Sequence, residues 1–442
     1  MFGQITKLAV AAILAILLAS FLFGISYYVI PDQEIPLSSP SQSLFNVYSS
    51  VALSRIYVDD NGTVYPTHAP IVRIGDVYSF TGDVINYTLE IQKDNIIIDG
   101  VGRSCKGYVE GSTIFGDQGI YLNGRINVTI KNINIEQFWK GIVVQNSSSI
   151  IINGNNMSNL GSTAIDVESS SYATIVGNNI STLGEAIKID NTYDYDQSLN
   201  NTVSENTITN SRSGIQIHSG LLNSITKNTF VNVDNPIWVA SNLTIISKNI
   251  MINGIDGIGI GGKYSDASGN YSGGSFCTIS GNKIDNFTQS GLYFNIGINN
   301  TIYENTIANS KYGVAINLGG DIDGSWIMEN NTLYHNNFIN NVQDVFIGAP
   351  SYINYWDNGK EGNYWSKFNG ADNNKDGISD TPYSIYANNT DRYPLMNPCG
   401  NPEIQQTLSS QMLAMYLGIG LAISIVIMVG TAFYMKKRTK ND

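Results

Sequence analysis

Four charged residues in two neighbouring segments could carry acid–base chemistry. The segments "AIDVE" (164–168) and "AIKID" (186–190) supply the candidate catalytic residues Asp166, Glu168, Lys188 and Asp190. In a polysaccharide lyase, carboxylates hold calcium against a sugar acid while a lysine serves as the base. Two carboxylates that face each other across a glycosidic bond would instead support hydrolysis. The simpler alternative is an ion pair between Asp166 and Lys188, with the other acids in solvent.

Residues at equivalent positions of other segments could bind a sugar ring. These candidate substrate-binding residues are Tyr121, Gln216, His218, Trp238 and Tyr293. Aromatic rings offer flat apolar faces to a sugar, and the amide and imidazole groups offer hydrogen bonds. Isolated exposed aromatic residues are also common in proteins, so a purely structural role is the alternative.

An acidic loop near the end of the chain has the spacing of a calcium site. Counted from Asp372, oxygen ligands fall at the first, third, fifth, seventh and ninth positions, namely Asp372, Asn374, Asp376, the carbonyl of Ile378 and Asp380. The twelfth position is Tyr383, where a helix–loop–helix sensor has a bidentate glutamate. The loop therefore predicts a structural Ca²⁺ site, and a solvated acidic turn is the alternative.

A repeat contains the candidate catalytic and sugar-binding residues and predicts the fold. A small residue and an alternating apolar triplet recur between 119 and 347, mostly at intervals of 21 to 23 residues. A second apolar run follows most triplets, and then comes an asparagine, at Asn132, Asn155, Asn178, Asn206, Asn228, Asn249, Asn282, Asn305 and Asn336. Such a unit has no helical periodicity and cannot bury its apolar face alone, so successive units must stack. The pattern predicts an all-β fold, a parallel β-helix in a single solenoid, in which the recurrent asparagines form an internal ladder.

Alternation within the first strand of each unit predicts one outward column of side chains. The column consists of Tyr121, Val143, Asp166, Lys188, Gln216, Trp238, Gly259, Tyr293, Ala315 and Phe346, and the next column adds Glu168, Asp190 and His218. Three units carry insertions after this strand, around 191–200, 261–276 and 319–326. Insertions at one corner of a solenoid build a wall beside one face, so we predict that this face is the binding groove.

The repeats resemble those of NosD-like proteins, which are right-handed β-helices of the pectin-lyase-like type. The resemblance is carried by segments such as "TIVGNNISTLGEAIKID" and "YENTIANSKYGVAI", and it covers about residues 55–398. The closing segment "NYWDNGKEGNYWSKFNGADNNKDGISDTPYSI" is similar to that of archaeal cell-surface members. The resemblance implies a right-handed solenoid and either copper binding or carbohydrate chemistry. The three histidines, His68, His218 and His335, are widely spaced and give little support to a dedicated copper site.

The two ends of the chain predict a membrane-anchored protein. Residues 8–30 are uncharged and predict a signal peptide or an uncleaved signal anchor within 1–30. Residues 412–435 are uncharged and long enough for one transmembrane helix, and the basic segment 436–442 predicts a cytoplasmic tail. The chain between these segments then lies outside the cell, with a single-pass anchor in the cell membrane at its C-terminus.

Composition and sequons agree with an extracellular location. A net charge of −12 and a pI near 4.7 argue against a nucleic-acid partner. The sequons predict a glycoprotein modified at Asn61, Asn86, Asn127, Asn146, Asn156, Asn179, Asn200, Asn242, Asn270, Asn286, Asn299, Asn330 and Asn388. The odd number of cysteines allows at most one internal disulfide.

The predicted organisation between the membrane segments has four parts. They are an N-terminal region and cap at 31–100, the β-helix repeats at 101–350, a small C-terminal cap with the calcium-like loop at 351–398 and a linker at 399–411. The predicted function is a glycan- or partner-binding module of the cell envelope, with a polysaccharide or an envelope protein as its partner. The alternative is a lyase or hydrolase that acts on uronic-acid polymers, and a NosD-like copper-binding protein is a further alternative.

Overall fold

The computed structural model describes residues 53–110, 113–115, 118–191, 198–264, 271–316, 328–348 and 352–400. Every regular element within these ranges is a β-strand. None of the described residues forms a helix that is long and apolar enough to cross a membrane. The predicted membrane segments 8–30 and 412–435 and the predicted tail 436–442 lie outside the described residues.

Most strands belong to three stacks, which we name A, B and C. Stack A contains Ser54–Val58, Tyr87–Ile91, Gln118–Asn123, Lys140–Gln145, Thr163–Glu168, Glu185–Asp190, Ser213–Ile217, Asn235–Val239, the later parts of Ile250–Ile260 and Lys283–Phe294, Tyr312–Ile316 and Gln343–Ile347. Stack B contains Val77–Phe80, Ile96–Asp99, Val128–Lys131, Ile151–Asn153, Thr174–Val176, Thr202–Ser204, Ser224–Thr226, Ile245–Ser247, Thr278–Ser280, Thr301–Tyr303 and Thr332–Tyr334. Stack C contains Val84–Ile85, Ser104–Lys106, Asn134–Glu136, Asn156–Ser158, Asn179–Ser181, Thr207–Thr209, Thr229–Val231, the first parts of Ile250–Ile260 and Lys283–Phe294, Thr306–Ala308, Asn337–Ile339 and Tyr364–Trp365.

The chain visits the three stacks in turn, so each turn of the solenoid adds one strand to each stack. Neighbouring strands in a stack are parallel and in register, as in Asp166 opposite Lys188 and Ile175 opposite Val203. These pairings confirm the predicted parallel β-helix. The remaining strands pair antiparallel at the edges: Val64–Tyr65, Ile71–Ile74, Tyr108–Glu110 with Thr113–Phe115, Lys263–Tyr264 with Tyr271–Ser272, and Tyr383–Tyr386 with Asn389–Asp391.

The core lies inside the solenoid and is made by every second residue of each strand. Ile142, Ile165 and Ile187 follow one another in stack A, and each is 0% exposed. β-Branched side chains at these positions pack between the turn above and the turn below. The strict register fixes which side chains point outward, and this determines the candidate site.

An internal asparagine ladder runs along the turn between stacks B and C. Its members are Asn155, Asn178, Asn206, Asn228, Asn249, Asn282, Asn305, Asn336 and Asn363, all at most 1% exposed. Each side-chain nitrogen donates to the side-chain oxygen one turn further along, at 2.9 to 3.0 Å. The ladder was predicted from the recurrent asparagines, but it starts later than expected. Asn132 is exposed, and the buried Ile133 takes the ladder position instead.

The ladder ends at the last antiparallel strand. Asp391 accepts hydrogen bonds from the Asn363 backbone N–H at 2.8 Å and from the Trp365 indole N–H at 2.8 Å. The indole of Trp365 stacks on Phe338 with ring centroids 4.4 Å apart. These contacts cover the apolar end of the solenoid.

Candidate functional site

The outward column predicted from the sequence forms the outer surface of stack A, which we call the A face. Successive strand pairings align Tyr121, Val143, Asp166, Lys188, Gln216, Trp238, Gly259, Tyr293, Ala315 and Phe346. Neighbouring members are one strand spacing apart, about 4.8 Å. Glu168 and Asp190 align beside this column, and His218 follows the next strand. The register therefore brings the predicted catalytic and sugar-binding residues onto one surface.

A charged cluster lies near the middle of the A face. The carboxylate of Asp166 contacts the ammonium of Lys140 at 2.5 Å, and Glu168 approaches the same ammonium at 3.8 Å. Lys188 bonds Asp190 on its own strand at 3.3 Å. The predicted Asp166–Lys188 ion pair is therefore wrong, because each residue has a nearer partner.

Sequence reasoning missed Lys140 because it precedes the repeated triplet and falls outside the outward column. It begins the strand Lys140–Gln145, and its long side chain reaches across to the next turn. Asp166 is 0% exposed although it belongs to the outward column. Its second carboxylate oxygen, Oδ1, is buried without a hydrogen-bond partner.

The electrostatics of Lys188 do not favour its predicted role as a base. Desolvation opposes the charge of the Lys188 ammonium, but the carboxylates of Asp190, Asp166 and Glu185 outweigh it and raise the pKa of Lys188 above its ordinary value. A lysine that acts as a general base needs a lowered pKa, so that the neutral amine is present near neutral pH. The surroundings of Lys188 instead hold it as a cation.

A polar network joins the charged cluster to one end of the A face. The Tyr121 hydroxyl donates to Gln145 Oε1 at 2.9 Å, and the Gln145 amide donates to Glu168 Oε2 at 2.7 Å. The guanidinium of Arg55 lies 5.9 Å from the centre of the Tyr121 ring and pairs with Glu90. Tyr121 therefore lies between charged groups rather than in an apolar surface.

Beside Tyr121 the surface opens into a polar cleft of about 320 Å³. Its lining consists of Asp60, Glu90, Ile91, Gln92, Tyr121, Asn123 and Arg125. Arg125 lies 3.6 Å from Asp94 and 3.7 Å from Asp60, and its Nε donates to the Asn123 carbonyl at 3.0 Å. Only Tyr121 among the lining residues was predicted. Glu90 is opposite Tyr121 on the preceding strand, which comes before the first aligned triplet, and most of the others come from strand ends and turns.

The A face has a polar half, which contains the charged cluster and the cleft, and an aromatic half, which contains Trp238 and Tyr293. A Cβ atom at Gly259 would lie 2.3 Å from Trp238 Cε3, and one at Gly261 would lie 2.3 Å from Trp238 Cζ2. The indole therefore lies directly over the backbone of these two glycines. Tyr293, on the turn after Gly259, has its ring centre 6.3 Å from that of Trp238, with the planes at 40°. Both side chains are half-buried, so they present ring surface to solvent.

Gln216 and His218 lie between the two halves. Gln216 Oε1 and His218 Nε2 are 2.9 Å apart. Gln216 is directly opposite Trp238 in the strand pairing. Both can hydrogen-bond a ligand that crosses from the charged cluster to the aromatic half.

The predicted wall beside the groove falls largely outside the described residues. Residues 192–197, 265–270 and 317–327, which belong to the three insertions, are outside the described residues. The wall therefore stays a prediction. The described sequon asparagines are exposed, apart from Asn200 and Asn242, which are half-buried, whereas Asn270 is outside the described residues.

The acidic loop uses its carboxylates to bind its own backbone. Asp372 accepts the N–H groups of Asp376 and Gly377 at 3.1 and 3.0 Å, and Asp380 accepts that of Asn373 at 2.7 Å. Asp376 accepts the N–H of Ile378 at 2.9 Å. Within the described residues, no group of three or more His, Cys, Asp and Glu side chains is arranged to hold a metal ion. Calcium binding by this loop stays a prediction.

Two family models and several solved structures are similar to this chain. The model described as "Right handed beta helix region" matches residues 79–230, and the model described as "Periplasmic copper-binding protein (NosD)" matches residues 195–370. Residues 79–370 are therefore similar to right-handed β-helix proteins of the NosD type, in agreement with the resemblance of the repeats. No curated protein matches it.

Several solved structures are similar to this chain at low sequence identity. The catalytic domain of a GH87 alpha-1,3-glucanase in complex with nigerose is 16% identical, with a TM-score of 0.48 over 75% of this chain and 71% of that chain. An alginate lyase from Paenibacillus sp. str. FPU-7 is 15% identical, with a TM-score of 0.40 over 61% of this chain and 92% of that chain. A DFA-IIIase from Arthrobacter chlorophenolicus A6 is 13% identical, with a TM-score of 0.40 over 61% and 65%.

The described residues do not fit the copper site that the NosD description implies. His68 is exposed in a turn near the start of the solenoid, His218 contacts Gln216, and His335 lies 2.6 Å from Glu361. Burial raises the pKa of the Cys105 thiol to about 12 and that of the Cys277 thiol to about 11, so both stay protonated. Soft metals need clustered imidazole or thiolate ligands, and these groups lie apart.

Proposed function

We propose that this right-handed β-helix protein is a membrane-anchored, extracellular module that binds a glycan along its A face. The observation that carries the proposal is the position of Trp238 over Gly259 and Gly261. Because two glycines make room for the indole, the ring lies close to the strand surface, and the half-buried side chain keeps part of its area exposed for stacking on a sugar. Tyr293 extends this aromatic surface along the solenoid.

The polar half of the A face supports the same function. Gln216 lies in the same column as Trp238, and Gln145 and Glu168 lie in the column beside it, so hydrogen-bonding groups recur at the spacing of the turns. A linear polymer that lies along the solenoid would meet polar and aromatic groups in succession. Sugar recognition needs this combination of stacking faces and hydrogen bonds.

The cellular location rests on the sequence. The uncharged segments 8–30 and 412–435 and the many sequons favour an exported chain that stays attached to the membrane. A polysaccharide of the envelope is then the ligand within reach. An envelope protein is the alternative partner. Lyase activity is less favoured as a function, because Lys188 is held as a cation and cannot serve as the base.

The test is binding of the purified full chain in detergent to an array of neutral and acidic polysaccharides. We expect retention of one glycan class, with binding lost in Trp238→Ala and partly kept in Trp238→Phe. Tyr334→Ala removes an aromatic residue from the outer surface of stack B and serves as the matched control. Equal binding by Trp238→Ala and the wild type would refute the proposed site, and new unsaturated ends in a polyuronate would establish a lyase.

A further inference from the structure

The charges of the A face are compensated within the protein. Four cations line its polar half, and each is held by carboxylates: Arg55 by Glu90, Arg125 by Asp60 and Asp94, Lys140 by Asp166 and Glu168, and Lys188 by Asp190. Six carboxylates thus face four cations. The polar half therefore has an excess of negative charge and commits its cations to internal partners.

Within the charged cluster Lys140–Asp166–Glu168, one buried hydrogen-bond acceptor has no donor. Asp166 Oδ1 is buried and accepts no hydrogen bond, whereas Oδ2 of the same carboxylate is held by Lys140. A buried carboxylate oxygen without a donor is costly, so a ligand hydroxyl that reaches Asp166 Oδ1 is favoured there. A ligand carboxylate would instead meet the negative charge of Asp166 and Glu168.

We infer that the A face binds a neutral, hydroxyl-rich glycan rather than a uronic-acid polymer, and that the cleft beside Tyr121 holds one of its sugar rings. This inference rests on the proposed glycan binding and names its substrate class. A neutral glycan is thus proposed in place of the uronic-acid polymers that the sequence suggested as substrates. The reason is that a uronate needs a free cation or a bound metal, and the described polar half of the A face offers neither in the present arrangement.

The cleft has the composition that a neutral sugar requires. Its volume of about 320 Å³ is at the small end of the range for small-molecule sites. Glu90 offers acceptor oxygens, while Gln92 and Asn123 offer both donors and acceptors. Arg125 can donate hydrogen bonds to sugar hydroxyl groups and Asp60 can accept them, and a neutral sugar leaves the net charge of the cleft unchanged. The cleft continues into the Tyr121–Gln145–Glu168 network, so one polymer can occupy both.

The experiment is calorimetric titration of the full chain with defined probes. The neutral probes are oligosaccharides of glucose and mannose in several linkages, and the acidic probes are oligogalacturonate and oligoalginate, each with and without Ca²⁺. We expect one neutral probe to bind at least about tenfold more tightly than either acidic probe. Tighter binding of an acidic probe, with or without calcium, would overturn the inference.

Two variants separate the cleft from the rest of the site. Asn123→Ala, at an exposed position of the cleft, should weaken binding of the neutral oligosaccharide about five- to tenfold, as expected for a lost hydrogen bond. Glu205→Gln on the edge of stack B should leave binding unchanged. If Trp238→Ala abolishes binding but Asn123→Ala does not weaken it, glycan binding stands and the cleft assignment fails. If no probe binds, the proposed function and this inference both fail.

Discussion

Asp391, which ends the asparagine ladder, should make the stability of the protein fall as pH rises. Its carboxylate is 0% exposed, and burial raises its pKa from 3.8 to about 6 despite hydrogen bonds from Asn363, Trp365 and Tyr393. The folded protein therefore binds this proton more tightly than the unfolded chain does. A shift of about 2 pKa units corresponds to roughly 3 kcal/mol of unfolding free energy. This stability is fully present below about pH 4 and is lost as pH rises through about 6.

Urea denaturation at a series of pH values measures the effect. The Asp391→Asn variant cannot titrate, so the wild type should lose roughly 3 kcal/mol of stability relative to this variant between about pH 4 and pH 7. Asp357 provides a control of opposite sign. Desolvation is outweighed there by hydrogen bonds from Arg392 and the loop backbone, which lower the pKa of Asp357, so its contribution is lost on acidification. Parallel pH curves for the wild type and Asp391→Asn would refute the reasoning.

Three further predictions concern the A face, the ladder and the acidic loop. Gly259→Ala should lift the indole of Trp238 and weaken glycan binding about tenfold by calorimetry, and unchanged affinity would contradict the stacking site. Asn228→Ala should lower the unfolding free energy by about 4 kcal/mol because buried donors and acceptors lose their partners, whereas the exposed Asn156→Ala should cost less than about 1 kcal/mol. Calcium should raise the melting temperature of the wild type but not of Asp376→Ala, and equal melting curves with chelator would remove the predicted site.

The fold followed from the sequence because a parallel solenoid repeats one simple rule. Once the triplets are aligned, the period of two fixes which residues point outward, and the strand pairings of Asp166 with Lys188 and of Gln216 with Trp238 obey it. The ladder followed for the same reason. These features depend on backbone register, which is the same in every turn of the solenoid.

The contacts within the site did not follow from the sequence. Lys140 binds Asp166 because its flexible side chain spans two turns, and register alone does not determine where a long side chain ends. The cleft at Asp60 and Arg125 combines residues from irregular turns, which carry no repeat signal. The flat position of Trp238 depends on Gly259 and Gly261 one turn later, and only the structure shows that these two glycines face the same indole.

The asparagine ladder also gives the solenoid a direction. One side-chain N–H of each member donates to the next turn, while each side-chain oxygen accepts from the preceding turn, so the amide dipoles add along the axis and leave their positive end at Asn363. This row stops at a hydrogen-bond acceptor, the carboxylate of Asp391, which above its pKa also places a negative charge at the positive end. Turns can therefore be duplicated or deleted within the row without changing its chemistry, whereas the last turn carries a different terminal group. Variation in the length of such a protein should occur upstream of Asn363.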